Sequence, residues 1–335
     1  PSTRRLPFAL AGAALVALVY ALCLSAFSKP VALLAAFLCS IEGFLLAFSR
    51  IVQYQSFLLL FGLAAFYSAY RANSSTTPRP YYCLGAVFLS LSLLCHYDAA
   101  IAAVGTLALL RLKHIKHWLL PALIAIALTA AFYLPFYLTG NFSNTASYLG
   151  QRIDLSKFPV NNLPRYFNVF SFYNSIYFTV LVWLPILAWC FVEIYRILRS
   201  GFQNAAHKGK LRPPSHTEET SSLHSHEGGL PRAQSSRGER QRAGGCLSLW
   251  LLCGLISMGF LIARPNTHFY IIHPPLLILA ALSITIVLSC REKKYLAPVI
   301  CLLILFSLPY PWFAYLKTWP EFRPAFPKSL LAIYP

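Results

Sequence analysis

Charge is what this sequence has least of. Only 11% of its 335 residues are charged, Asp and Glu together number 10, and there is a single methionine. A soluble globular domain carries about 25% charged residues, whereas this chain is 57% hydrophobic with a mean hydropathy of +0.59. A water-soluble globule is excluded, and the solvent of most of the chain is lipid. The shortage of acids leaves 28 Lys and Arg and a formal charge of +18. A basic surplus gathered on one surface would suit nucleic acid. Here the basic residues fall between apolar runs, where they read as topology signals, so no nucleic-acid partner is expected. Disulfides are also unexpected: Cys23, Cys39, Cys83, Cys95, Cys190, Cys246, Cys253, Cys290 and Cys301 lie within or at the ends of apolar segments and read as small core packers. The chain opens at Pro1 with no initiator Met and no signal-peptide pattern, and the expectation is a fragment.

What is present is apolar length. A helix crosses roughly 30 Å of hydrocarbon in about 20 residues, and apolar runs predict an all-α, polytopic transmembrane protein of about ten spans: 6–27, 31–48, 55–70, 81–95, 99–110, 118–138, 176–198, 247–262, 274–290 and 295–313. Three units follow: residues 1–198 with an outer loop at 139–175, a flexible cytosolic linker at 199–246, and C-terminal helices with an outer tail at 247–335. The linker is rich in Ser, Gly, Pro, Arg and His, too polar to offset its ordering entropy, and His207, His216, His224 and His226 read as solvated residues. No internal repeat suggests the inverted halves of a transporter. The tight clusters Arg111-Leu-Lys-His-Ile-Lys-His and Arg291-Glu-Lys-Lys assign their side to the cytosol.

With that orientation the polar stretches collect on the non-cytosolic face, although an unpaired polar group near hydrocarbon costs about 2.5–3.5 kcal/mol. Ser49-Arg50-Ile-Val-Gln53-Tyr54-Gln55-Ser56 could hold a phosphate or sugar hydroxyls, or anchor the interface. His96-Tyr97-Asp98 offers an imidazole beside a carboxylate, the minimum for acid/base work or a divalent ion, while Asp98 could equally be the N-cap of the next helix. Arg264-Pro-Asn266-Thr267-His268-Phe-Tyr270-Ile-Ile-His273 is the densest polar stretch and suits a phosphate leaving group, with headgroup anchoring as the alternative. The aromatic loop 139–175 fits interfacial helices, sugar stacking or an isoprenoid groove. Glu42, late in an apolar run, is either a functional intramembrane acid or an interfacial residue. Asn141-Phe-Ser143 is a sequon on the outer side and Asn73-Ser-Ser75 one on the cytosolic side.

These residues, in this order, resemble polytopic glycosyltransferases of the protein-mannosyltransferase and aminoarabinose-transferase superfamily. Lys29-Pro30, the Ser49 to Ser56 stretch, His96-Tyr97-Asp98-Ala99, Asn161-Asn162-Leu163-Pro164, Phe172-Tyr173-Asn174-Ser175 and Thr267-His268-Phe269-Tyr270 with His273-Pro274-Pro275 look like the bacterial branch, the family 39 glycosyltransferases. The resemblance implies a C-type glycosyltransferase fold and transfer, with inversion, of a sugar from a polyprenyl-phosphate donor to a glycan, lipid or protein acceptor on the non-cytosolic side. It implies a multi-pass protein, placed in a bacterial plasma membrane rather than the endoplasmic reticulum. Such enzymes keep an acidic catalytic residue in their first outer loop, which would precede Pro1, so Asp98 is the fallback base. The resemblance assigns the donor phosphate to Arg264, His268, Tyr270 and Arg50, and substrate to Gln53, Tyr54, Gln55, His96, Tyr97, Asn266, Thr267 and His273. Gln55 stands where the family often has Asp. No cofactor or metal ligand set is assigned, and a divalent cation is left open. The rival reading is a transporter or lipid flippase using Glu42 and Asp98 as a proton relay. A non-catalytic membrane scaffold is a third.

Overall fold

The computed structural model describes residues 3–140, 142–152, 160–191, 231–263, 265–289 and 293–311, and among the described residues all regular structure is helical. In chain order the helices are α1 (Leu6–Ala26), α2 (Lys29–Ile41), α3 (Gly43–Ser49), α4 (Gln55–Ser74), α5 (Pro78–Cys95), α6 (Ala99–Ala108), α7 (Leu119–Leu138), α8 (Phe142–Arg152) and α9 (Leu163–Tyr173). They continue with α10 (Ile176–Phe191), α11 (Pro231–Ile256), α12 (His273–Ser289) and α13 (Lys293–Ser307). Proline in the first turn starts α1, α2, α5 and α9, where its missing N–H costs nothing.

Four segments are long and apolar enough to cross a membrane: Leu6–Ala26, Ile115–Leu138, Gly238–Leu261 and Thr267–Ser289. The bent pair α2 and α3, with 60° between them, brings the number to five. An all-α integral membrane protein follows, but ten crossings do not. Apolar runs also mark helices too short to span: α6 has 10 residues and reaches about 15 Å, half the hydrocarbon core. The 20-residue α4 buries Gln55, Ser56, Ser68 and Asn73, because a helix enclosed by protein tolerates polar groups that lipid would not.

The helices pack through small residues, as expected where lipid removes the hydrophobic drive between them. A Cβ on Gly62 would meet both Ser92 and Ala102, and one on Gly85 would meet the Ala65 carbonyl oxygen at 3.4 Å. One level further from Asp98, Asn73 donates to the Leu109 carbonyl (2.8 Å) and accepts from the Tyr82 hydroxyl (3.2 Å). α4 therefore runs antiparallel to α5 and parallel to α6, with His96-Tyr97-Asp98 at the turn between the latter two. The Asn73 carboxamide, half of a sequon, is committed to this contact.

α11 begins at Pro231, inside the stretch expected as linker. Arg242 donates to the carbonyl of Leu110 at 2.9 Å, closing the end of α6, and Glu239 accepts from Ser74 (2.9 Å) and lies 3.5 Å from Arg111. Ala243 is fully buried. Polar residues here are ordered by helix ends distant in sequence, which composition does not register. The rest of that stretch to residue 230, including His207, His216, His224 and His226, lies outside the described residues, as does the tail from 312 onward.

Candidate functional site

Asp98 is buried at the α5–α6 turn, and its side chain makes no cap hydrogen bond to α6. Its Oδ2 is drawn outward instead. His268 Nδ1 lies 2.5 Å away, the Tyr270 hydroxyl donates at 2.9 Å, and His96 Nδ1 lies at 3.2 Å. His268 and Tyr270 come from the 3-10 turn Asn266–Ile272, which carries the chain from α11 into α12. That turn follows a π-helical segment, Ser257–Leu261, which widens the end of α11. The His96 ring is fixed by Tyr54, stacked on it with 4.6 Å between centroids and 3° between planes, and by Tyr97 at 3.8 Å. Burial works to raise the Asp98 carboxyl, but hydrogen bonds and charge from His268 and His96 outweigh it and hold the group well below the usual carboxylate range.

A second carboxylate lies behind an aromatic wall. Glu42, fully buried at the break between α2 and α3, caps α3 by accepting from Leu45 N–H (2.8 Å). Asn174, between α9 and α10, donates to Glu42 Oε1 at 2.7 Å and accepts from Gly43 N–H at 2.8 Å. His273 Nδ1 lies 3.1 Å from the same carboxylate, and its Nε2 has no hydrogen-bond partner. Between the two clusters stands Phe48, 5.7 Å from Phe44 and 5.8 Å from Tyr270. The loop helix α9 is tied at both ends. Asn162 at its start donates to the carbonyls of Met258 (3.3 Å) and Ile262 (2.7 Å), which the π-helical segment leaves available, and Asn174 holds the other end.

Of the residues read from the sequence, the structure thus joins His96, Tyr97, Asp98, His268, Tyr270 and Tyr54 in one cluster. It places His273 elsewhere, beside Glu42. Arg50 and Gln53 are exposed in the segment that leads into α4, and Thr267 is half-buried. Gln55 is buried, and its carboxamide oxygen has no hydrogen-bond partner. Arg264 and the side chain of Asn266 lie outside the described residues. Asn162 and Asn174 were visible in the sequence only as parts of motifs; their signal was a polar amide at each end of an aromatic helix. Among the described residues, His96, Asp98 and His268 are the group whose side chains could share a metal ion, with ligand atoms all within 4.8 Å of one another.

Residues 3–138 match the family described as dolichyl-phosphate-mannose-protein mannosyltransferase. The match supports a family 39-like membrane glycosyltransferase. It covers α1 to α7, hence Glu42 and the Tyr54, His96 and Asp98 side of the cluster, and ends before His268 and Tyr270. Searches of curated proteins and of solved structures returned no match.

Proposed function

We propose, on the premise that the chain is a protein-mannosyltransferase-like membrane glycosyltransferase, that it transfers a sugar, with inversion, from a polyprenyl-phosphate donor to an acceptor hydroxyl on the non-cytosolic side of a bacterial plasma membrane, using a C-type glycosyltransferase fold. The observation that carries this reading is the convergence of His268, Tyr270 and His96 on Asp98 in a membrane protein whose helices otherwise bury few charges. The acceptor oxygen forms a bond to the anomeric carbon as the bond to the phosphate oxygen breaks; polyprenyl phosphate leaves with the electron pair, and the acceptor's hydroxyl proton passes to water on the outer side. Donors near that oxygen stabilise the developing charge. Asp98, expected as fallback base, already receives its donors on one oxygen and is held below the usual range, so we assign it the holding of His268 and Tyr270 rather than proton removal. A cavity of about 390 Å³ between α1, α3 and α4, lined by Gly12, Ala13, Val16, Leu45 and Phe48, offers the isoprenoid tail an apolar berth that ends at the Phe48–Tyr270 contact.

The transporter reading draws on the 60° break at Glu42, since broken helices carry substrate sites in transporters. Against it, the rings of Phe44 and Phe48 stand between the two carboxylates where a proton relay would need polar groups. The deciding experiment places the purified protein in lipid nanodiscs with polyprenyl-phosphate sugars and acceptors and measures release of polyprenyl phosphate. Sugar-dependent release, reduced about 100-fold in His268→Ala, is expected; a factor of that size corresponds to about 2.7 kcal/mol of transition-state stabilisation. Absence of release from every donor, together with substrate uptake into proteoliposomes, would overturn the reading.

A further inference from the structure

We infer that His96, Asp98 and His268 form a binding site for a first-row divalent cation, of the Zn²⁺ class, that receives the phosphate of the donor. The inference rests on the glycosyltransferase reading for the identity of the phosphate, but the site itself stands on the side chains. Two imidazole nitrogens and a carboxylate oxygen converge within 4.8 Å. Three-ligand sets of this kind suit imidazole-preferring first-row metals and leave coordination positions open for an incoming oxygen. Metal–ligand bonds of about 2.0–2.2 Å require the ligand atoms of a tetrahedral site to stand roughly 3.3 Å apart. The His96 Nδ1 to Asp98 Oδ2 separation, 3.2 Å, is close to that value, while His268 Nδ1, at 2.5 Å from the same oxygen, must retreat and the two imidazole nitrogens, within 4.8 Å of each other, must close on the ion.

Charge balance at the reaction points the same way. A lipid phosphate brought against a buried carboxylate would be repelled, and polyprenyl phosphate gains a further negative charge as the sugar leaves. Two neutral imidazoles, one carboxylate and a divalent cation leave a net single positive charge to meet it. Tyr270, donating to Asp98 Oδ2 at 2.9 Å, then acts as the outer partner that orients the ligating carboxylate.

The test uses untagged full chain in which His207, His216, His224 and His226 are all replaced by Ala, so that the linker histidines cannot account for binding. Metal-stripped protein is titrated with Co²⁺ and followed by calorimetry and by visible absorption. One Co²⁺ per chain with a ligand-field band is expected, with a loss of at least tenfold in affinity in His96→Gln and in His268→Ala. Should either variant fail to fold, the rise in Tm of the parent protein on adding Zn²⁺, abolished by Asp98→Asn, replaces it. Binding of sugar-free polyprenyl phosphate should weaken at least tenfold on chelation and recover with Zn²⁺. Absence of a Co²⁺ band, an unchanged Tm with Zn²⁺, or phosphate binding indifferent to chelation would overturn the site. Stoichiometric Co²⁺ binding without sugar transfer would sink the glycosyltransferase reading alone, and transfer without Co²⁺ binding would sink the cation site alone.

Discussion

A single carboxylate oxygen organises the polar cluster at the α5–α6 turn. Asp98 sits where a helix cap is expected, yet Oδ2 is taken by side chains 170 and 172 positions away along the chain. A charged acceptor gains more from partners that are also ordered and half-buried than from a local N–H, because hydrogen bonds to charged groups contribute about 1.5–3 kcal/mol. Tyr270→Phe removes one of those donors without changing ring packing on Phe48. Its expected cost is of that size, about 1.5–3 kcal/mol, read as a lower denaturation midpoint in detergent, with a fall of about tenfold or more in affinity for the lipid-linked donor. Normal donor affinity in this variant would place the donor phosphate elsewhere. His96, Asp98, His268 and Tyr270, which the structure brings together, were all singled out in the sequence. That His273 would part from them was not legible there. Five residues after His268, the start of α12 turns it into the bundle toward Glu42, and the pairing depends on where α2 breaks.

Among the elements, α9 shows how a segment between apolar helices is built into the bundle. Its sequence is aromatic and amphipathic, which suits lying at an interface, but its position is set by two amides. Asn174→Ala leaves the buried Gly43 N–H without its partner and takes one of its donors from Glu42 Oε1, which keeps His273. The orphaned N–H costs about 1–3 kcal/mol, so thermal unfolding should begin at distinctly lower temperature. Asn162→Ala, which releases the π-helical end of α11, should instead raise hydrogen exchange in α9 and the Ser257–Leu261 segment ahead of global unfolding. Equal protection in that variant and the parent would show that the Asn162 side chain does not hold α9 in place. The approach of α6 to α11 depends on a missing side chain: a Cβ on Gly105 would lie 2.8 Å from the Cβ of Trp250 and 3.2 Å from the Cys246 carbonyl oxygen. Gly105→Val forces these helices apart and is expected to cost about 1–3 kcal/mol or to prevent folding, measured by yield and monodispersity after extraction. Helix positions were readable from apolar runs and proline. The break at Glu42 was not, since it interrupts an apolar run without a proline, and it becomes intelligible only once Asn174 and Leu45 are seen to satisfy the carboxylate.

For the molecule as a whole, the two helix-end layers have opposite characters. One holds Asp98, Tyr54, α9 and the Asn266–Ile272 turn; the other holds Arg111, Glu239, Arg242 and Asn73. If the first faces away from the cytosol at the cell surface, a cysteine placed at exposed Val52 should react with an impermeant maleimide in intact cells, and one at exposed Thr77 only after permeabilisation, in a cysteine-depleted background. Labelling of both from the same side would break the assigned orientation and, with it, the non-cytosolic site. α7 presents the exposed side chains of Leu119, Leu123, Ile126, Phe132 and Leu134 along one helix, which accords with a lipid-facing element.

The sequence by itself determined the solvent, the helical class and the types of residue available for chemistry. Those follow from composition and from periodicity within single helices, which are local properties of the chain. The tertiary structure decided which carboxylate meets which imidazole, that several apolar runs stop short of spanning, and that α9 is tied down at both ends. Such pairings join residues more than a hundred positions apart, and their energies exist only when both partners leave solvent together, so no local pattern records them.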